Sequence, residues 1–133
     1  MRIHAAEIRV RYEETDNMGV VYYGNYFTWF EVARTEYLRA LGVSYREMEK
    51  EGTYLMVAQA SCRYRSPARY DDLVRIESWI SEIKSSSLKF GYKLFVQDRL
   101  IATGDSVHVF TNKSARPIRI PQGFKAVITS DRS

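Results

Sequence analysis

Asp16 is the first residue along this chain whose surroundings point to chemistry. It ends an acidic stretch at 13–16 that runs through Met18 and Gly19 into an apolar aromatic segment. That segment opens a helix near Tyr23 and Gly24, a few residues past the carboxylate. The first turn of a helix presents backbone N–H groups without intrahelical partners, at the positive end of the peptide dipoles. Negative charge developing there is stabilised, and a glycine at position 24 lets a ligand approach the main chain. A carboxylate beside donors for an oxyanion is a minimal kit for acyl transfer to water. The same spacing also suits a carboxylate that only caps the helix electrostatically, so the residues alone leave both readings open. Glu31, off the apolar face of the same helix, is the second carboxylate within reach; an exposed or salt-bridged helix residue is its plainer reading.

The remaining reactive types offer less. Cys62 is the single cysteine and lies inside a strand pattern, where it reads as a small buried hydrophobe. It allows neither an internal disulfide nor a cysteine-only zinc site. His4 and His108 are far apart and lack metal-ligand spacing, so metal chemistry is not expected. His108 shares a side of its strand with Leu100 and Phe110 and reads as a core or interface residue.

The elements that must hold Asp16 follow from periodicity. At about 100° per residue, Tyr26, Phe30, Ala33, Tyr37 and Leu41 stack on one side of a long helix, flanked by Phe27 and Leu38. Thr28, Glu31, Thr35 and Arg39 fall on or near the other side, and Gly42 supplies a left-handed cap. Arg34 lies within about 40° of the buried centre, so it needs a partner, with Glu31 or an acidic-loop residue the candidates. Before the helix, residues 2–12 alternate as a strand, Ile8 and Val10 against Glu7, Arg9 and Arg11. After it, Ser44 and Glu47 have the spacing of a capping box for a short helix closed by Gly52.

From Thr53 the period becomes two. Tyr54, Met56, Ala58, Ala60, Cys62 and Tyr64 share one face; Leu55 and Val57 give way to Gln59, Ser61, Arg63 and Arg65 on the other. Pro67 and two Asp at 66–72 are turn chemistry. Val74, Ile76 and Ile80 against Leu73, Trp79 and Ile83 make a strand apolar on both faces, hence central or at an interface. Leu88, Phe90, Tyr92, Leu94 and Val96 alternate cleanly, and residues 97–99 reverse the chain into a last long strand over about 100–111. Residues 118–120 read as a short edge strand between prolines, and Pro121 opens a helix over 122–128. The final SDRS should fray. Strands joined by short reversals are expected to be antiparallel neighbours, giving an α+β domain whose curved sheet wraps the aromatic helix. The outer face of that sheet would still carry Trp79, Phe95 or Phe110, a patch best explained by self-association.

At 133 residues the chain is expected to form one domain, 1–133. Hydrophobic content of 45% with 27% charged residues is that of a soluble globular protein. No apolar run approaches a membrane span, and MRIHAAEIRV lacks the apolar core of a signal peptide, so a cytoplasmic location is expected. A net charge of +4 fits a polyanionic ligand as readily as nucleic acid, or simply a solvated surface. Aromatics at helix-core spacing and the lack of a clustered basic run argue against an RNA-binding module.

One pattern sharpens the reading. Tyr12-x-x-x-Asp16-x-x-Gly19-Val20-Val21-Tyr22-Tyr23-Gly24-Asn25-Tyr26, followed by Trp29-Phe30-Glu31-x-Ala33-Arg34, resembles the signature of the 4-hydroxybenzoyl-CoA thioesterase family. The likeness covers essentially the whole chain, including SCRYRSPARYDD at 61–72, and joins loop, turn and helix start in fixed register. It implies the hot-dog fold: one long central helix held in a curved antiparallel sheet. It also implies hydrolysis of an acyl-CoA thioester to free acid and CoA. Asp16 would then be nucleophile, through a mixed anhydride, or general base to water. The N–H of Gly24, with that of Tyr23, would hold the thioester oxygen. Coenzyme A is part of the substrate, so no separate cofactor is expected.

The same resemblance assigns binding roles. Members associated with the Tol-Pal envelope system place a His where Tyr23 stands; this chain resembles the Tyr-bearing members. Tyr23, Tyr26 and Phe27 are expected to line the acyl pocket, and Glu31 is the rival carboxylate because some hot-dog thioesterases work from a helix Glu. The phosphates of CoA call for basic groups outside it. Arg63 and Arg65 share a polar half-face, and Lys84, Ser85 and Ser86 sit where the strand pattern breaks. Arg69 and Lys89 are weaker candidates, and plain surface competes for each. A homodimer at minimum, extending to a tetramer, is expected, with pockets shared between subunits. Two rival classes share the fold. A non-catalytic domain binding acyl groups or a partner protein has no need of both Asp16 and the Gly24-Asn25-Tyr26 turn. A dehydratase would want a His near the Asp. The identity of the acyl group, and CoA versus acyl-carrier protein as its carrier, cannot be read from these residues.

Overall fold

The computed structural model describes residues 2–132. Five strands form one antiparallel sheet: β1 (His4–Arg9), β2 (Tyr54–Tyr64), β3 (Leu73–Ile83), β4 (Ser87–Val96) and β5 (Arg99–Thr111). Their spatial order is β1-β3-β4-β5-β2. The helices are α1 (Asn25–Ala40), α2 (Tyr45–Lys50) and α3 (Gln122–Arg132), and a single 3₁₀ turn, Tyr12–Glu14, follows β1. No helix among the described residues is long and apolar enough to cross a membrane.

The sheet wraps α1, and the helix buries Tyr26, Trp29, Phe30, Ala33, Tyr37 and Leu38 against it. The expected stripe is displaced around the helix. Phe27 is 38% exposed and Leu41 only half-buried, whereas Trp29 is 1% exposed. Trp29 can be buried because its indole N–H finds an acceptor, the Glu14 carboxylate at 2.9 Å. Gly42 and Gly52 take the left-handed backbone that ends the two helices, at φ +83° and +85°. Of the expected capping box one half is present: Ser44 Oγ accepts the Glu47 N–H at 3.4 Å.

β4 keeps its alternation, with Leu88, Phe90, Tyr92, Leu94 and Val96 all buried. β3 lies between β1 and β4, with Val74, Ile76 and Ile80 buried on its inner face and Leu73 39% exposed on the other. Phe110 points inward and is fully buried, so the outer face carries Trp79 and Phe95, with the Arg75 guanidinium 4.7 Å over the Phe95 ring. Two bulges break the simple period. In β2 the register shifts between Val57 and Gln59, so Ala58 is extra. Leu55 and Val57 therefore share the inward side with Ala60, Cys62 and Tyr64, while Met56 points outward. In β3 the shift between Ile80 and Glu82 turns Ile83 inward, opposite the buried Leu88. Such bulges bend a strand and add twist, which helps the sheet curl around α1.

Two expectations about connectivity change. β2 pairs with β5 and not with β3. The link at 65–72 is a crossover that closes one end of the sheet. Val21 N–H donates to Ala68 O (2.8 Å), Asp71 N–H to Val10 O (3.0 Å) and Val10 N–H to Asp72 O (2.9 Å). Residues 118–120 form no strand. Prolines bracket them, and the N–H groups of Ile118 and Ile120 go to different partners, Phe110 O and Ser85 O. α3 then packs Phe124 and Ile128 into the core and runs to Arg132; Ser133, at the expected frayed end, lies outside the described residues.

Arg34 is buried, and its partner is not a carboxylate. Its Nη1 donates to Tyr92 Oη at 3.3 Å. Tyr92 and Ser106 hydroxyls are 2.6 Å apart, and Ser106 Oγ is 2.7 Å from His108 Nε2. A guanidinium can only donate, so Tyr92 accepts from Arg34, and the hydroxyls of Tyr92 and Ser106 carry the line on to His108. Burial, aided by the nearby Arg34 charge, pushes the His108 imidazole from 6.5 down to about 3. His108 is therefore neutral in its bond with Ser106.

Candidate active site

The acidic loop folds back on itself before α1. Asp16 N–H donates to Val20 O (2.8 Å), Gly19 N–H to Asp16 O (3.0 Å), and Thr15 bridges Val21. Gly19 turns the loop at φ +78°, a conformation that favours glycine. One carboxylate oxygen of Asp16, Oδ1, accepts the Met18 N–H at 2.8 Å; no protein donor engages the other among the described residues. Asp16 is half-buried.

Asp16 opens onto a cleft of about 410 Å³ lined by Val20, Val21, Tyr23, Tyr26, Tyr64 and Arg65, with Ser66 and Pro67 behind. The walls come from three elements: the Asp16 loop, the start of α1, and the crossover after β2. Arg99 braces the crossover by donating to Ser66 Oγ and to Pro67 O. Tyr26 and Tyr64 meet edge-to-face at 4.9 Å. Burial raises the pKa of Tyr26, and burial with the neighbouring Cys62, Tyr26 and Tyr23 pushes Tyr64 up to about 12. Both hydroxyls therefore stay protonated.

At the start of α1 the N–H groups divide. Those of Tyr22, Asn25 and Tyr26 are taken, by Glu14 O, Tyr22 O and Tyr23 O. Those of Tyr23 and Gly24 donate to no protein acceptor among the described residues. Tyr64 Oη donates to Tyr23 O at 3.0 Å, so β2 holds the peptide unit whose other end is the Gly24 N–H. Gly24 itself does not leave open space: a Cβ there would lie 2.9 Å from the Tyr22 ring. The Tyr22 ring covers that position.

The structure thus brings together Asp16, Tyr23, Tyr26 and Arg65, with Gly24 next in the chain. Other residues singled out in the sequence lie elsewhere. Phe27 packs edge-to-face on Phe30 at 5.7 Å and does not line the cleft. Glu31 is exposed, in a shallow depression with Thr28, Val32 and Thr35. Arg63 points to the outer face of the sheet, into a concavity with Trp79, Lys93 and Asp105. Lys84, beside Glu82 at 3.3 Å, and Ser85 and Ser86 sit at the far end of the sheet. Tyr64 pairs with Ala102 of β5 and Val109 pairs with Ser87, seven residues further along, roughly 23 Å at strand rise. Cys62 is half-buried, and its thiol is pushed up to about 11 by burial, too high for a nucleophile. Val20, Val21, Tyr64, Ser66 and Pro67 line the cleft without having been expected there; for Tyr64, proximity to Arg65 was the available signal.

Comparison with known proteins agrees with this geometry. A family model of the thioesterase-like superfamily matches residues 10–128. The chain is 34% identical over 126 residues to Bacillus subtilis YneP, provisionally named an acyl-CoA thioesterase, spanning 93% of this chain and 91% of that one. It is 34% identical over 122 residues to the acyl-CoA thioesterase YbgC of Haemophilus influenzae, spanning 90% and 89%. The solved DHNA-CoA thioesterase from Staphylococcus aureus matches with a TM-score of 0.95 at 32% identity, over 99% of this chain and 92% of that one. The chain belongs to the thioesterase-like superfamily, and its helix wrapped by a curved sheet is the hot-dog fold. By class it is a thioester hydrolase.

Proposed function

We propose that this chain hydrolyses an acyl-CoA thioester to the free acid and CoA, with Asp16 as the catalytic carboxylate. The observation that carries the reading is one cleft holding a half-buried carboxylate with a free oxygen beside a helix start with two unused N–H groups. In the general-base route, Asp16 takes a proton from water as its oxygen attacks the thioester carbon. The N–H groups of Gly24 and Tyr23 hold the oxyanion, and the tetrahedral adduct collapses by breaking the C–S bond. The thiolate leaves readily because thiols are acidic, and the proton held by Asp16 then passes to it or to solvent, restoring the carboxylate. In the alternative route Asp16 attacks directly, and water then cleaves the mixed anhydride. Neither route uses a cofactor beyond the CoA of the substrate.

Tyr23, Tyr26 and Tyr64 form a wall that accepts a flat aryl or an alkyl group, and Arg65 at the rim suits a CoA phosphate. Tyr23 aligns the chain with the Tyr-bearing members of the 4-hydroxybenzoyl-CoA thioesterase family. We also propose a homodimer at minimum, extending to a tetramer. β2 is an edge strand with Met56 and Val57 47% and 55% exposed, and Trp79 and Phe95 lie on the outer face. Within one chain Lys84, Ser85 and Ser86 are too far from Asp16 to share its cleft, so a role for them in CoA binding requires a second copy. A monomer by light scattering at micromolar concentration would contradict this.

The deciding assay is thiol release from a panel of aryl- and alkyl-CoAs, run with wild type and Asp16→Asn. Loss of activity in the variant with acyl-CoA still bound supports the assignment. Activity that survives moves the chemistry to Glu31. Tight binding without turnover by wild type favours the non-catalytic binding domain.

A further inference from the structure

Glu14 is the buried carboxylate that the chemistry above does not use. It is 5% exposed and stands two residues before Asp16. Its Oε1 accepts the Arg11 N–H at 2.8 Å, and its Oε2 accepts the Trp29 indole N–H at 2.9 Å. Its backbone carbonyl accepts two more donors, Tyr22 N–H at 2.8 Å and Asn25 Nδ2 at 2.9 Å. Four donors converge on this one residue. Two of them, Tyr22 and Asn25, flank Tyr23 and Gly24 with their unused N–H groups. A third, Trp29, lies about one turn further along α1.

Buried polar groups of this kind hold geometry because each alternative position leaves a donor unpaired. We propose that Glu14 is a positioning residue that sets the gap between Asp16 and the N–H groups of Tyr23 and Gly24. This rests on the thioesterase reading of the cleft. Its carbonyl fixes the near end of α1, its carboxylate fixes the rotation of α1 through Trp29, and Asp16 follows within the same short loop. Reacting groups misplaced by about 1 Å can cost about a hundredfold in rate. The residue therefore acts on turnover without touching substrate.

Glu14→Gln tests this. An amide offers one oxygen and one NH₂, so either the Arg11 N–H or the indole N–H meets a donor instead of an acceptor. The backbone ties remain, and the fold is expected to hold. We expect kcat to fall about 10- to 100-fold with KM within about twofold of wild type. Trp29→Phe removes the clashing donor, so the double variant should lose less than the product of the two single losses. A purely structural role predicts the reverse, since trimming a second buried side chain only adds damage. Wild-type kcat in Glu14→Gln, a loss carried by KM, or single losses that simply multiply would overturn the proposal.

A readout independent of turnover separates this from failure of the functional reading. In ¹⁵N spectra the backbone amides of Asp16, Tyr23 and Gly24 should move together with the Trp29 indole in Glu14→Gln, and return toward wild type in the double variant. A shift confined to the indole would sink the idea even if the protein proved inactive on every thioester.

Discussion

Along α1 the chain treats two sets of polar groups in opposite ways. Near the middle of the helix, Arg34, Tyr92, Ser106 and His108 are all buried and linked in a line, with Arg34 Nε the one buried polar side-chain atom of the four left without a partner among the described residues. Near its start, one oxygen of Asp16 and the N–H groups of Tyr23 and Gly24 meet no protein partner among the described residues, and Asp16 and Tyr23 line a cleft. Polar groups that satisfy one another contribute to holding the fold and have little left to offer a ligand. Groups held in place by their neighbours yet left unpaired are the ones available for chemistry. By that criterion His108, the ionisable type most often used in catalysis, falls in the structural set, and Asp16 is the carboxylate we propose for the chemistry.

The contrast breaks down if a change in one cluster has the effect expected of the other. The largest effect belongs to Asp16→Asn, where turnover should fall by about 10²- to 10⁴-fold. Its melting temperature should stay put, because the amide oxygen can still accept the Met18 N–H. A melting temperature that drops along with activity would move Asp16 into the structural set. Ser106→Ala should show the mirror image. It cuts the buried chain in two and should destabilise the fold by about 1–3 kcal/mol, read by chemical denaturation, with kcat/KM unchanged.

A pH series sharpens the same point. His108 titrates near 3 when folded and near its ordinary 6.5 when unfolded. Between those values the unfolded chain binds a proton that the native protein does not. Stability is therefore full above about pH 6.5 and falls as the pH drops toward 3, by about 1.4 kcal/mol per unit from this one group. His108→Gln should flatten that acid limb relative to wild type; an unchanged slope would mean the imidazole is not held neutral. The smallest effect is expected from Tyr64→Phe. Losing the hydroxyl that steadies the Tyr23 carbonyl should lower kcat by about three- to tenfold, with melting unaffected. A change in KM alone would make Tyr64 a wall of the pocket and nothing more.

Much of this architecture could be read before any coordinates. The aromatic stripe predicted one long helix, the clean period of β4 predicted its buried face, and the resemblance carried by the pattern from Tyr12 to Tyr26 drew attention to the loop that holds Asp16. What escaped had physical causes. The bulge at Ala58 is invisible to an alternation count, because Met56, Ala58 and Ala60 are all small or apolar and fit either face. Trp29 was off the expected stripe because its burial depends on Glu14, fifteen residues earlier. Arg34 was given a carboxylate partner, whereas a phenol on β4 serves instead; a helical wheel shows which residues point inward and not what awaits them. The crossover at 65–72 looked like a hairpin turn, since its length and prolyl content do not reveal which strand follows as neighbour.

Phe30 stacks on Tyr92 with ring centroids 4.1 Å apart and planes within 2°. It occupies the space that a side chain at position 104 would need, for a Cβ on Gly104 would fall 2.4 Å from the Phe30 ring and 2.6 Å from Ser61 O. This close fit ties α1 to β4 and β5 at that point. The helix that carries the cleft's donors is thus keyed to strands well away from the reacting atoms. In the reaction we propose, a ligand arriving at Asp16 would meet a mould already set, the cost of ordering it having been met when the chain folded.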